Sequence, residues 1–326
     1  MQRWQKILAN GFGNAKSLCE FLEIPIPSDC QQSERDFATR VPRGFAMRME
    51  KGNPMDPLLL QVLPQIIEIE KKEGFEDDPL AESYSNPISG IIHKYHGRLL
   101  VTFASACAVN CRYCFRRHFP YQENNPGRGG WEPVFKYISS DQSIHEVILS
   151  GGDPLLASDG SWKEFLEELV KISHVQTIRI HSRIPIVLPE RMTDKWLQML
   201  AECHLNKVLV LHTNHPNELD AGIGKALQGF KEIGGTLLNQ SVLLKNVNDN
   251  AQTLVALSHR LFELGILPYY LHLLDKVNGS AHFEVDFDQA RQIYTQMHRL
   301  LPGYLLPRLA REDSGRPGKT LFGLID

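Results

Sequence analysis

The feature that most constrains the fold of this 326-residue chain is an alternation of strand-sized and helix-length segments that begins near Arg98. The strand-sized runs are short and rich in Leu, Ile and Val, and amphipathic stretches of helix length lie between them. Such alternation predicts a parallel sheet, because a right-handed crossover returns the chain to the same strand direction. We therefore predict an α/β fold in which six units curl into a (β/α)6 TIM-like partial barrel.

The boundaries of the predicted elements follow from these runs. The predicted strands are Leu99–Phe103, Glu146–Leu149, Thr177–Ile180, Lys207–Leu211, Thr236–Asn239 and Pro268–Leu273. The predicted helices are Ser161–Ile172, Thr193–Cys203, Glu218–Ile233, Asn250–Leu264 and Phe287–Leu301. Residues 1–90 show helical periodicity interrupted by Pro and Gly, so we predict an N-terminal helical region over 1–90 and the barrel over 91–326.

Charge and hydropathy narrow the function classes. The net charge is −3 and no long run of Lys or Arg occurs, which argues against nucleic acid and anionic membrane surfaces as partners. The longest apolar runs are of strand length, far below the roughly 20 residues of a membrane-spanning helix. The N-terminus lacks the apolar segment of a secretory signal. We expect a cytoplasmic protein with a small-molecule substrate; the sequence leaves open whether it forms a homo-oligomer.

Polar residues follow the predicted strands at the point where each strand ends. In a parallel barrel these positions lie on one face, which is where active sites of this architecture are found. They are the cysteine-containing loop after the first strand, Ser150–Asp153, His181–Arg183, His212–Asn217, Gln240 and Asp275. The sequence therefore predicts one cavity lined by several separate polar clusters.

Cys107, Cys111 and Cys114 have the spacing C-x-x-x-C-x-x-C, which is typical of a metal site and not of a disulfide framework. A structural zinc site normally has four protein ligands, whereas three thiolates on a [4Fe–4S] cluster leave one iron open. An open iron can chelate the amino and carboxylate groups of S-adenosylmethionine. The alternative is a zinc site with His118 as the fourth ligand.

Four motifs together resemble one protein family. They are Cys107–Phe119, Leu149–Leu155, His212–Glu218 and Asn239–Leu244. The cysteine spacing resembles the radical S-adenosylmethionine superfamily, and the set resembles the lysine 2,3-aminomutase family from about Asp56 onward. The resemblance implies an isomerase that moves an amino group and uses the cluster, S-adenosylmethionine and pyridoxal 5′-phosphate (PLP).

Residues for the S-adenosylmethionine site come from the strand ends. Two glycines after a strand, Gly151 and Gly152, allow backbone to approach a ligand closely. The resemblance implies that the Gly-Gly-Asp motif ending in Asp153 binds the amino group of the cofactor. The alternative is a strand-to-helix turn without a role in ligand binding. His212, Asn214 and Gln240 are similar to family residues near the same cofactor.

A second cofactor is implied by Lys319, which follows a Gly- and Pro-rich loop near the C-terminus. A desolvated lysine can form a Schiff base with an aldehyde cofactor, and in the family this position carries PLP. An exposed tail lysine is the alternative. By resemblance, Lys94, Tyr95 and Arg98 are candidates to bind the PLP phosphate.

The resemblance also assigns substrate contacts. Arg116 matches the arginine that binds the substrate carboxylate, and Asp275 matches one of two aspartates that recognise the ε-ammonium group of lysine and nearby atoms. An ordinary surface arginine and a helix-starting aspartate are the respective alternatives. The second aspartate lies seven residues before the PLP lysine, where this chain has Glu312 followed by Asp313.

Only seven residues follow Lys319, whereas the fermentative aminomutases continue through a C-terminal extension. The short form resembles the subfamily that makes (R)-β-lysine for modification of translation elongation factor P, to which a separate ligase attaches it. The resemblance implies L-lysine as substrate and a one-electron reductant such as flavodoxin or ferredoxin. The alternatives are an aminomutase for another amino acid such as glutamate, and a zinc-stabilised binding module without catalysis.

Overall fold

A computed structural model describes residues 1–28, 30–121, 123–127 and 129–324. A nine-stranded sheet runs through it in sequence order. Its strands are β1 (Ile91–Tyr95), β2 (Arg98–Ala104), β3 (Glu146–Gly151), β4 (Thr177–Ser182), β5 (Asn206–His212), β6 (Thr236–Val242), β7 (Leu267–His272), β8 (Arg308–Arg311) and β9 (Thr320–Leu321). Strands β2 to β8 pair in parallel, while β1 and β9 pair antiparallel at the two edges.

The helices fall into an N-terminal group and a group around the sheet. The first group is α1 (Arg3–Ala9), α2 (Ala15–Leu22), α3 (Cys30–Asp36), α4 (Arg43–Ala46) and α5 (Pro57–Leu60). The second group is α6 (Glu132–Ser140), α7 (Asp159–Leu169), α8 (Ile184–Val187), α9 (Asp194–Ala201), α10 (Ala221–Glu232), α11 (Ala251–Glu263) and α12 (Phe287–Leu300). Among the residues that the structure describes, no helix combines the length and the apolar character needed to cross a membrane.

Local chemistry explains where the helices of the second group begin. Ser158, Thr193, Asp220 and Asn250 each accept a hydrogen bond from a backbone N–H in the first turn of the helix that follows, as N-cap residues do. The predicted helix from Glu218 is therefore wrong at its start. Pro216–Glu218 forms a 3₁₀ turn, and Asp220 caps α10 afterwards.

The α/β fold with a parallel sheet is confirmed, and all six predicted strands are present. The prediction of six parallel strands was one too few, because β8 extends the parallel run to seven. Apolar residues of the N-terminal helices, such as Leu18 and Phe45, belong to the same buried cluster as Leu209 of β5. The N-terminal helices therefore form a layer that shares its core with the barrel; the domain boundary at residue 90 stays a prediction.

Candidate active site at the carboxyl ends of the strands

The three clustered cysteines lie on the loop that follows β2. Their side chains are half-buried, and burial together with the neighbouring thiols raises the pKa of Cys107 well above its ordinary value and that of Cys114 to about 11. Buried thiolates without a cation are unfavourable, so a positively charged iron–sulfur cluster fits this donor set.

The geometry does not support the zinc alternative. The Nε2 atom of His118 lies 3.3 Å from the carbonyl oxygen of Asn278 and 3.6 Å from a carboxylate oxygen of Asp77, so another loop engages this histidine.

Gly151 and Gly152 pack against the cysteine loop. The Gly152 N–H donates to the carbonyl oxygen of Ala104 (2.7 Å), and a Cβ at residue 152 would stand 2.4 Å from the carbonyl oxygen of Ala106. Gly151 has a φ of +102°, which only glycine adopts without strain. The close backbone approach predicted for these glycines therefore exists, but in this structure it is to the protein's own loop.

Asp153 is buried and accepts hydrogen bonds from the N–H groups of Leu155, Arg183 and Ile184 and from the Ser182 hydroxyl. Burial raises the pKa of this carboxyl to about 6, against the effect of these hydrogen bonds. In this structure the carboxylate braces the turn after β4, and all its partners are protein atoms. A contact with S-adenosylmethionine stays a prediction.

Arg183, which the sequence placed after β4 without a specific role, is the centre of a buried polar network. Its guanidinium donates to Cys111 Sγ (2.7 Å), to the Tyr113 hydroxyl (2.6 Å), to Gln61 Oε1 (2.7 Å) and to Glu218 Oε2 (3.0 Å). This network joins the cysteine loop to the N-terminal layer and to the loop after β5.

Asn214 belongs to the same network. Its Nδ2 donates to Gln61 (3.0 Å) and to the Tyr113 hydroxyl (2.8 Å), and its Oδ1 accepts from the Val242 N–H (2.8 Å). These bonds fix the amide beside the cysteine loop, next to the predicted S-adenosylmethionine site.

His212 and Gln240 meet inside the barrel. His212 Nε2 lies 2.9 Å from the Gln240 side-chain nitrogen, and the ring of His181 lies 5.8 Å from that of His212. Burial, and then the charges of Arg183 and Arg116, lower the pKa of His212 to about 3. These imidazoles are therefore neutral at physiological pH and can bind a polar ligand without adding charge.

A chain of alternating charges crosses the other side of the site. Lys319 Nζ lies 2.5 Å from Glu312, whose second oxygen lies 2.9 Å from Lys94 Nζ. Lys94 lies 3.4 Å from Glu82, and Glu82 forms two 2.7 Å hydrogen bonds with Arg116. We call Arg116, Glu82, Lys94, Glu312 and Lys319 the ion chain. Burial would raise the pKa of Glu312, but Lys319 and Lys94 hold it well below its usual range.

A cavity of about 290 Å³ borders the ion chain. Lys94, Tyr95, Glu312, Asp313 and Arg316 are among the residues that line it. Arg98 is not among the lining residues; its guanidinium carbon lies 4.7 Å from the centre of the Tyr95 ring.

The two carboxylates that the sequence left as alternatives have different surroundings. Asp313 accepts from Arg311 Nε (2.7 Å) and from the Thr320 hydroxyl, so it closes its own hairpin, whereas Glu312 points to Lys319. Asp275 lies close enough to Glu312 and Lys319 for both to affect its ionisation. Burial, and then the charge of Glu312, raise the pKa of Asp275 to about 7, while Lys319 opposes the rise.

The sheet and the cysteine loop at its carboxyl edge define a class, and comparison with known proteins agrees. A family model described as "4Fe-4S single cluster domain" matches residues 96–206, which contain the three cysteines. Together these features are those of a radical S-adenosylmethionine enzyme with one [4Fe–4S] cluster.

Curated relatives define the family within this class. The L-lysine 2,3-aminomutase of Haemophilus influenzae is 49% identical over 98% of this chain and 96% of its own length. That of Escherichia coli is 50% identical over 90% of this chain and 86% of its own. That of Clostridium subterminale is 33% identical over 83% of this chain and 65% of its own. The chain belongs to the lysine 2,3-aminomutase family, so it is an isomerase, and the alternative of a binding module without catalysis is wrong.

Proposed function

We propose that the chain is a PLP-dependent aminomutase that converts L-α-lysine into (R)-β-lysine. The relatives described above carry the name L-lysine 2,3-aminomutase, which supports lysine as the substrate. The observation that carries the proposal is that Glu312, beside Lys319, and the neighbouring Asp275 offer two carboxylates for the distal group of the substrate, whereas a glutamate-specific pocket would need a cation for that group.

The proposed PLP residues are Lys319, Lys94, Tyr95 and Arg98. Lys319 has a side chain that is 24% exposed and contacts Glu312, which lines the cavity, so it is reachable by an aldehyde. Lys94 and Tyr95 line the cavity and fit an anionic group there, while Arg98 supports Tyr95 by stacking on its ring. When bound, PLP supplies an electron-delocalising ring, and the protein orients the reacting groups and excludes water.

The proposed S-adenosylmethionine residues are Gly151, Gly152, Asp153, His212, Asn214 and Gln240. Cys107, Cys111 and Cys114 hold the cluster from the same side of the site. The hydrogen bonds described above keep Asp153 and Asn214 in place, and the neutral His212 suits an uncharged part of the cofactor.

For the substrate, we assign the α-carboxylate to Arg116 and the ε-ammonium to the acidic group formed by Asp275 and Glu312. Lys94 and Lys319 both contact Glu312, so in the protein without ligands its negative charge is already shared. Asp275 has a raised pKa because it is buried beside another carboxylate, and an incoming ammonium group offsets that repulsion. Asp313, bound to Arg311 and Thr320 within its hairpin, follows Glu312 directly in the chain.

We further propose that the β-lysine serves for modification of elongation factor P, through a separate ligase, in the cytoplasm. Identity is higher to the Haemophilus and Escherichia relatives than to the Clostridium relative, which supports the resemblance to the short subfamily. A one-electron donor such as flavodoxin or ferredoxin reduces the cluster. Free lysine is the substrate, so contact with the factor itself is not required.

Chiral product analysis tests the reaction. The anaerobically reconstituted enzyme is incubated with L-lysine, S-adenosylmethionine, PLP and dithionite, and compared with Lys319→Ala. We expect (R)-β-lysine from the wild type alone. Turnover of glutamate but not lysine would contradict the proposed substrate, and equal product from Lys319→Ala would contradict the role of Lys319.

A further inference from the structure

Arg116 is held along one edge by a residue that the sequence motifs do not include. Its Nε and Nη2 atoms each donate to a different oxygen of Glu82, both at 2.7 Å. Its Nη1 atom donates to the Ser150 hydroxyl at 3.1 Å. A guanidinium has five N–H donors, so these three bonds leave two. No other acceptor for them is found among residues 1–28, 30–121, 123–127 and 129–324.

The plane of the guanidinium is also restrained. Its central carbon lies 4.8 Å from the ring centre of Phe115 and 5.9 Å from that of Phe119. The side chains of Arg116 and Glu82 are only 8% and 5% exposed. Without Glu82, Arg116 would keep its contacts with the two phenylalanine rings but lose the two hydrogen bonds that set the rotation of its guanidinium group.

The backbone of Glu82 is itself held by a local hydrogen bond. It begins the 3₁₀ turn Glu82–Ser85, and its N–H donates to a carboxylate oxygen of Asp78 at 2.9 Å. Burial would raise the pKa of Glu82, but the charge of Arg116 and its hydrogen bonds lower it, so the carboxylate is ionised at neutral pH. A rigid anion therefore faces the arginine.

We propose that Glu82 is a positioning residue that turns Arg116 so that its two remaining N–H groups face the α-carboxylate of the substrate. This inference rests on the proposed function, in which Arg116 binds that carboxylate. Glu82 occupies the edge formed by Nε and Nη2, and the unused donors belong to the two terminal nitrogens. The substrate therefore binds without displacing Glu82. The rival view is that Glu82 competes with the substrate for Arg116.

The test compares ligands that differ only in the carboxylate. Glu82→Gln keeps one acceptor and places an amide donor against a guanidinium donor, so Arg116 loses its fixed orientation. We expect the KM for L-lysine to rise about tenfold, the equivalent of one charge-assisted hydrogen bond, with a smaller change in kcat. The inhibition constant of L-lysinamide, whose carboxamide has no negative charge, should stay within about twofold of wild type, since a change of that size is under 0.5 kcal/mol.

Two further variants complete the test. Asp159→Asn disrupts another buried arginine pair, in which Asp159 lies 3.2 Å from Arg191 and contacts no member of the ion chain, and should leave both constants unchanged. Glu82→Asp keeps the charge on a shorter side chain and should restore part of the affinity for lysine. If Glu82→Gln does not fold, the aspartate variant alone must show the selective rise in KM.

Chemical modification gives a readout that does not depend on turnover. Phenylglyoxal followed by peptide mapping should label Arg116 faster in Glu82→Gln holoenzyme than in wild type, because the paired edge is released. A lower KM for lysine in Glu82→Gln would show that Glu82 competes with the substrate, and equal effects on lysine and lysinamide would show a merely structural role; either result overturns the proposal. If the wild type does not turn over lysine, the proposed function fails instead, while the labelling still reports on the Glu82–Arg116 pair.

Discussion

Cys111 and Lys319 are both half-buried in charged surroundings, but the charges around them are satisfied in different ways. Near Cys111, Arg183 spreads its hydrogen bonds over a thiol, a hydroxyl, an amide and a carboxylate in one closed network. Near Lys319, charges of opposite sign alternate in a line beside a cavity. The first arrangement suits a rigid support for a cluster, and the second suits a site where ligand charges replace protein charges.

Removal of a cluster ligand should have the largest effect on the region near Cys111 and leave the region near Lys319 intact. We expect Cys111→Ser to lose bound iron and all 5′-deoxyadenosine formation, because the thiolate ligand is replaced by a weak one. PLP attachment at Lys319 should persist. Iron analysis and product chromatography measure the effect, with the buried Cys203→Ser as control. Retention of 5′-deoxyadenosine formation in Cys111→Ser would contradict the assignment of the cluster.

Loss of the cation in the closed network should have the next largest effect. Arg183→Met leaves Glu218 buried without its arginine and should cost about 3–5 kcal/mol in the free energy of unfolding. Arg260→Met, which removes a surface pair with Glu263, should cost less than about 1 kcal/mol. Urea unfolding of the anaerobic holoenzymes measures the free energy of unfolding of both variants. Equal losses of stability in the two variants would show that the Arg183 network does not stabilise the region near Cys111.

A matched pair of glycines compares packing in the two regions. A methyl group at Gly152 meets backbone atoms of Ala106 at 2.4–2.8 Å, whereas one at Gly318 meets no atom within 4 Å. We expect Gly152→Ala to lose about 1–3 kcal/mol of stability and to bind less iron. Gly318→Ala should stay within about 0.5 kcal/mol of wild type. Similar unfolding curves for the two variants would contradict the expected difference in packing between Gly152 and Gly318.

The pH dependence of lysine binding is a smaller expected effect, and it concerns the region near Lys319. The pKa of Asp275 is raised to about 7, so the carboxyl loses its charge as the pH falls below that value. We expect the KM for lysine to rise about tenfold from pH 8 to pH 6, as the ionised fraction falls. In Asp275→Asn this dependence should vanish. Asp153, whose pKa is raised to about 6, titrates in the same pH range. If the pH dependence of KM were unchanged in Asp275→Asn, another group such as Asp153 would be responsible for it, and the assignment to Asp275 would be wrong.

The sequence predicted those parts of the fold that are encoded locally. The six predicted strands are short runs rich in β-branched, leucine or tyrosine residues, and all are present. The strand β8 covers only Arg308–Arg311 with a charged residue at each end, and β9 covers two residues, so no periodicity marks them. Their existence depends on pairing with β7 and with each other.

The same distinction applies to the site. The cysteines and Lys319 lie in short motifs, so the roles proposed for them could be predicted from spacing and from resemblance to the family. Glu82 contacts Arg116 from 34 positions away in the sequence, and Arg183 contacts Cys111 from 72 positions away. Nothing in the local sequence of either residue reports its partner, because the contact exists only after the N-terminal layer and the strands have packed together.

The most direct test of the central claim, that Lys319 at the end of the ion chain is the PLP-binding residue, is borohydride reduction followed by peptide mass mapping. Holoenzyme incubated with PLP and reduced should carry one phosphopyridoxyl group, on Lys319. Lys94 is the internal control, because it contacts the same Glu312 from the opposite side. Labelling of Lys94 in place of Lys319, or no specific label at all, would contradict the account.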